Sequence, residues 1–194
     1  MIRTVEEEVS RFRSDLLVRD ARDMCRRFLI FGSCNQLNDE RYYSLKAAVA
    51  EKLEIHPNEI IVVGSTKLGF SIVPAKRYRA FGDTSDIDVA IVSSQLFDRV
   101  WHEVFRYLDS ARSWEARRAF ADYFVRGWVR PDKLPSGESF TFTDNWFDFF
   151  RELSNSREFG DIKISGALYR DWIFLEQYQE SCILKCREAE EAMR

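Results

Sequence analysis

Two aspartates at the head of an apolar run, Ser85-Asp86-Ile87-Asp88-Val89-Ala90-Ile91-Val92, constrain this chain more than any other feature. From residue 87 onward every position except Asp88 is β-branched or small and apolar, so 86–92 reads as a buried strand. Side chains alternate between the faces of a strand, which puts Asp86 and Asp88 on one face. Two carboxylates that close repel, and burying their repulsion stabilises nothing by itself. A divalent cation between them relieves it, and Mg²⁺ is commonly held by one or two carboxylates together with phosphate oxygens.

The segment upstream offers a partner for such a site. Ile60-Ile61-Val62-Val63 reads as a short buried strand, followed by Gly64-Ser65. Gly64 lets the backbone turn and come close to a ligand. Ser65 can cap a following helix, whose first amides favour an anion such as phosphate. Lys67 falls within the first turn after Gly-Ser, where its charge reaches what those amides hold.

Apolar strand, Gly-Ser, spacer and Asp-x-Asp on the next strand together resemble the nucleotidyltransferase superfamily related to DNA polymerase β, in its minimal form. The resemblance implies an α+β nucleotidyltransferase fold: a small mixed sheet with N- and C-terminal helices on its flanks. It implies transfer of a nucleoside monophosphate from an NTP, ATP among them, to a hydroxyl or phosphate acceptor. Asp86 and Asp88 would hold two divalent ions, Mg²⁺ or Mn²⁺, on the triphosphate, and Gly64 and Ser65 would hold the β- and γ-phosphates. The spacer between Ser65 and Asp86 is longer than in minimal members, and its basic, aromatic part, Pro74-Ala75-Lys76-Arg77-Tyr78-Arg79, is either a loop over the nucleotide or a solvated surface loop.

Members of the superfamily commonly add a third carboxylate from a later strand, as metal ligand and as base toward the acceptor hydroxyl. The candidate here is Asp161, in Glu158-Phe159-Gly160-Asp161-Ile162-Lys163-Ile164-Ser165, with Glu158 as a weaker substitute. Alternation across 158–165 puts Asp161, Lys163 and Ser165 on one face and Ile162 and Ile164 on the other. Gly160-Asp161 reads equally as a turn at a strand start.

The acceptor class stays open among RNA (tRNA included), a protein and a small molecule, and a bacterial antiviral defence or toxin–antitoxin system is one setting the resemblance suggests. At 194 residues the chain lacks the large helical half of full-size cyclic-nucleotide synthases. The alternative is a catalytically weak nucleotidyltransferase-like sensor or partner-binding subunit, working in a hetero-complex.

Composition agrees with one nucleotidyltransferase-like unit over 1–194: N-terminal helices at 1–54, a core with a helical insertion at 55–168, and a C-terminal helix at 169–194. With 45% hydrophobic residues and 16 Phe, the chain can bury a real core. It has no apolar run of about 18 residues and no apolar leader, which points to the cytoplasm and away from membranes. Cys25, Cys34, Cys182 and Cys186 form no Cys-x-x-Cys pair, so they read as packing thiols, not zinc ligands. A formal net charge of −3 argues against a protein that coats long nucleic acid, leaving room for a local basic face.

Helical periodicity predicts one N-terminal helix over 5–31, ended by Gly32-Ser33, then helices over 39–53 and 93–109. Residues 111–130 interleave arginines with aromatics and read as one amphipathic helix or as a phosphate- and base-binding stretch. A breaker at 131–138 precedes a short aromatic helix at 145–153, and the last helix is predicted over 169–192.

Overall fold

The computed structural model describes residues 4–82 and 84–193. Thr4 opens α1 (Val5–Leu16) with a capping box, its hydroxyl accepting from Glu7 N while the Glu7 carboxylate accepts from Thr4 N. The expected single N-terminal helix is broken after Leu17. Asp20 caps a new start by accepting from Asp23 N, and α2 (Ala21–Met24) continues into a wider π turn over Cys25–Ile30. Helix α3 (Asp39–Leu53) follows, capped by Asn38.

The sheet begins with β1 (Ile60–Val63), which passes through Gly64 into the short α4 (Gly64–Leu68). Strand β2 (Ile87–Val92) carries Asp88 and leads to α5 (Ser94–Asp109), whose Phe97, Val100 and Val104 are buried. Of the predicted 111–130 helix only α6 (Arg117–Phe124) forms. Gly127, at φ +63, packs its open face on the Phe174 ring and turns the chain into the edge strand β3 (Trp128–Val129). Helix α7 (Thr141–Asn155) precedes β4 (Ile164–Tyr169), and α8 (Trp172–Glu191) ends the described chain. The strand expected over 158–165 is thus shifted toward the C-terminus, and Tyr169 is a strand residue, not the start of the last helix.

The fold is α+β, with a four-stranded mixed sheet in the order β1-β2-β4-β3. β1 is antiparallel to β2, β2 is parallel to β4, and β3 is antiparallel to β4. Pleating divides the side chains between two cores. Ile87, Val89 and Ile91 of β2 point with Ile164 and Leu168 of β4 into the main core under α3, α5 and α7. Gly166 shares that face, and a Cβ there would collide with the Phe150 and Trp146 rings, so its absence lets α7 lie on the sheet. On the other face Ile61, Val63, Ala90, Val92 and Tyr169 pack on Leu175 of α8. Asp86 and Asp88 belong to this second face by period, just beyond where its apolar cover ends. A third cluster joins α1 and α2 to Leu68, Phe70 and the far end of α8.

Candidate functional site

The C-terminal end of β1, the N-terminal end of β2 and the N-terminal end of β4 meet at one edge of the sheet, because β1 runs opposite to its two neighbours. Register sets Val63 opposite Asp88. The next residue, Gly64, takes φ +67, and a Cβ built on it would stand 2.9 Å from Asp88 Oδ2. Glycine is therefore required twice here, for the backbone angle and for the approach to the carboxylate. Thr66 locks the arrangement by donating its hydroxyl to the Asp86 carbonyl at 3.0 Å.

The two acids differ in surroundings. Burial pushes the Asp88 carboxyl up to about 6, and the nearby Asp86 charge adds to the shift, while the hydroxyl of Ser165, donating to Oδ1 at 3.2 Å, and the Lys163 charge oppose it. Asp86 sits half-exposed at the rim, with Lys163 Nζ 3.6 Å from its Oδ2. Asp88 also lines a cleft of about 840 Å³ whose walls include Trp128, Arg130, Lys163, Ser165 and Tyr178. Arg130 grips Asp132 through two bonds of 2.9 and 3.0 Å and lies 5.6 Å from the Trp128 ring centre, and Trp128 stacks on Tyr169.

Three expectations need correction. Ser65 does not cap α4: the capping position is Val63, in extended conformation, and Ser65 lies half-buried inside the first turn. Lys67 faces the protein interior. It is 2% exposed, and its ammonium donates to the Gly32 carbonyl at 2.6 Å, because the helix turn points residue 67 into the protein. Burial lowers its pKa. Asp161 lies outside β4, exposed after Gly160 at φ +101, and Glu158 is exposed in the turn before it. Asp161 lines the same cleft as Asp88, yet among the described residues no group of three or more His, Cys, Asp or Glu side chains could hold a metal ion. Asp86 and Asp88 are near enough for the charge of one to raise the other, and two carboxylates are a donor set that could hold a hard divalent ion only with oxygens from elsewhere.

Sequence reasoning missed the brace behind α4. Residues after Gly32-Ser33 run beside it: Cys34 Sγ donates to the Thr66 carbonyl at 3.3 Å, Asn35 N to the Lys67 carbonyl at 3.0 Å, and Asn35 Nδ2 to the Leu68 carbonyl at 2.7 Å. The basic insertion is tied elsewhere as well. Tyr78 donates its hydroxyl to Glu190 Oε2 at 3.0 Å, and Arg13 and Arg77 pair with the same buried carboxylate at 2.6 and 3.4 Å. Both the brace and this hub are tertiary, and no local spacing announces them. Among the described residues no helix is long and apolar enough to cross a membrane. Comparison of the chain with protein-family models, with curated proteins and with solved structures found no match.

Proposed function

We propose that this chain is a metal-dependent nucleotidyltransferase, which moves a nucleoside monophosphate from an NTP to a hydroxyl or phosphate acceptor. The observation that carries the reading is the closure of the Gly64 turn on Asp88, an acid that also lines the cleft. The order of elements supports a nucleotidyltransferase fold: strand, Gly-Ser turn, short helix, then an antiparallel strand headed by the acids.

On this reading the backbone at Gly64 and the Ser65 hydroxyl bind the β- and γ-phosphates. Asp86 and Asp88 hold Mg²⁺ or Mn²⁺, which when bound supplies charge to the triphosphate and the leaving pyrophosphate. Ser165 orients the Asp88 carboxylate by its bond to Oδ1, leaving Oδ2 toward the Gly64 turn. Trp128 and Tyr178 give the cleft stackable faces, which suits a nucleobase on either donor or acceptor. The test is Asp86→Asn, which keeps shape and removes charge: metal-dependent transfer from NTP should fall by a factor of a hundred or more, as expected when electrostatic support of a phosphoryl transition state is removed, roughly 3 kcal/mol. Unchanged transfer would end the proposal.

One observation favours the second reading, a nucleotide sensor or a subunit of a hetero-complex. Asp161 is exposed and outside β4, and among the described residues no group of three or more acids could hold a metal ion, so the expected third carboxylate is not gathered with Asp86 and Asp88. Metal-dependent NTP binding without transfer would select it.

A further inference from the structure

At the start of the β2–β4 pair each of the two acids meets a different partner. In the parallel ladder Asp88 lies beside Ser165, and one pleat earlier on the same face Asp86 meets Lys163. The ladder is continuous through this point, since Ile87 N donates to the Lys163 carbonyl at 2.8 Å. The side of β4 and of the residue leading into it that looks onto the two acids therefore carries the Lys163 ammonium, one residue ahead of the strand, and the Ser165 hydroxyl, while the nearest carboxylate along the chain, Asp161, lies two residues further out.

The side chain of Lys163 is 70% exposed and that of Asp86 46% exposed. A pair this open to water contributes at most about 1 kcal/mol to folding. Stability gives no reason for a lysine at that place, while charge does. Two carboxylates, one ammonium and one divalent ion carry the same net charge as three carboxylates and two divalent ions, the set used by two-ion phosphoryl-transfer sites. Resting on the nucleotidyltransferase reading, we infer that Lys163 stands in for a second divalent ion: the Asp86–Asp88 pair takes one ion with the nucleotide, and the Lys163 ammonium neutralises Asp86 on the cleft side. Ser165 acts with it as a positioning residue, because its bond to Asp88 Oδ1 occupies the oxygen that would otherwise face β4.

The experiment counts ions without relying on turnover. The full chain is titrated with Mn²⁺ in the presence of saturating ATP analogue whose α,β-bridge is methylene, and protein-bound Mn²⁺ per bound nucleotide is measured by electron paramagnetic resonance and equilibrium dialysis. Wild type and Lys163→Arg should each bind one ion per nucleotide. The double variant Lys163→Ala/Ser165→Asp, which removes the ammonium and adds a carboxylate beside Asp88, should bind two. Two ions in the wild type, or one in a folded double variant, would overturn the inference and leave the transferase reading standing. Absence of any nucleotide-dependent Mn²⁺ in the wild type would overturn both. Should the double variant not fold, the wild-type count and the Lys163→Arg control still decide.

Discussion

Gly64 and Asp88 are in contact across the β1–β2 pair, with room for a hydrogen and for nothing larger: a Cβ on residue 64 would come within 2.9 Å of Asp88 Oδ2. Gly64→Ala would therefore combine a positive φ with a push on the carboxylate. The strain costs on the order of 1–2 kcal/mol of stability. Nucleotide binding should weaken at least tenfold, and calorimetry with Mg²⁺ and a non-hydrolysable NTP analogue reads the affinity while thermal melting reads the strain. Binding within twofold of wild type would show that the turn does not serve the nucleotide.

The raised pKa of Asp88 has a consequence for the metal-free protein. Its folded-state value is about 6 against an ordinary 3.8, so between these pH values the native state binds more protons than the unfolded chain, and stability is lost as pH rises through this window. Above pH 6 the cost is complete. Asp88→Asn keeps the acceptor for Ser165 and removes the charge, so in the presence of a chelator it should stabilise the fold by on the order of 2 kcal/mol at pH 7 and by little at pH 3.8. Denaturant unfolding at the two pH values checks this. Equal stability of the two proteins at pH 7 would contradict it, and the same variant should lose divalent-ion binding.

Lys67 separates structure from ligand binding. Its ammonium is spent on the Gly32 carbonyl, in the brace behind α4. Lys67→Met keeps the volume and leaves that carbonyl without its donor, which costs about 1–3 kcal/mol. Thermal melting should register the loss, while affinity for the nucleotide in the folded variant should stay within about threefold of wild type. A loss of affinity with unchanged melting would return Lys67 to the phosphate site.

Glu190 joins three parts of the chain, since Arg13 of α1 and Arg77 and Tyr78 of the insertion all converge on it. The Arg13 bond holds its carboxyl below the ordinary range. A depressed carboxylate contributes stability that is present above its unfolded value of 4.5 and lost as pH falls through the folded one. Glu190→Gln should lower the melting temperature by several degrees at pH 7 and narrow the difference toward pH 3. A difference independent of pH would show that packing, not charge, holds the insertion to α8.

The local features of the site were legible in the sequence because they are local: a Gly-Ser after four apolar residues, and alternation that puts Asp86 and Asp88 on one face. Helices expected over 39–53 and 93–109 form over Asp39–Leu53 and Ser94–Asp109, legible for the same reason, through their apolar period. What failed was decided at a distance. Lys67 carries a charge that spacing alone sends outward, but its place on α4 points it into the protein, where its ammonium meets the Gly32 carbonyl. The 111–130 stretch has helical period, yet Trp128 and Val129 gain more by pairing with Tyr169 and Leu168 at the sheet edge than by extending α6 past Gly127. Asp161 alternates correctly with Lys163 and Ser165, but β4 begins only at Ile164, where the ladder to β2 starts. The walls of the cleft come from β3, β4, α7 and α8, and their convergence on Asp88 has no sequence signature.

The most direct measurement of the central claim is the fate of label from NTP carrying ³²P at the α- or the γ-position, incubated with the purified chain, Mg²⁺ or Mn²⁺, and RNA, protein extract or small-molecule acceptors in turn. The α-label should pass to an acceptor while the γ-label leaves as pyrophosphate, and Asp86→Ala/Asp88→Ala should abolish both. Transfer of γ-label, or transfer that survives loss of the two acids, would contradict that claim.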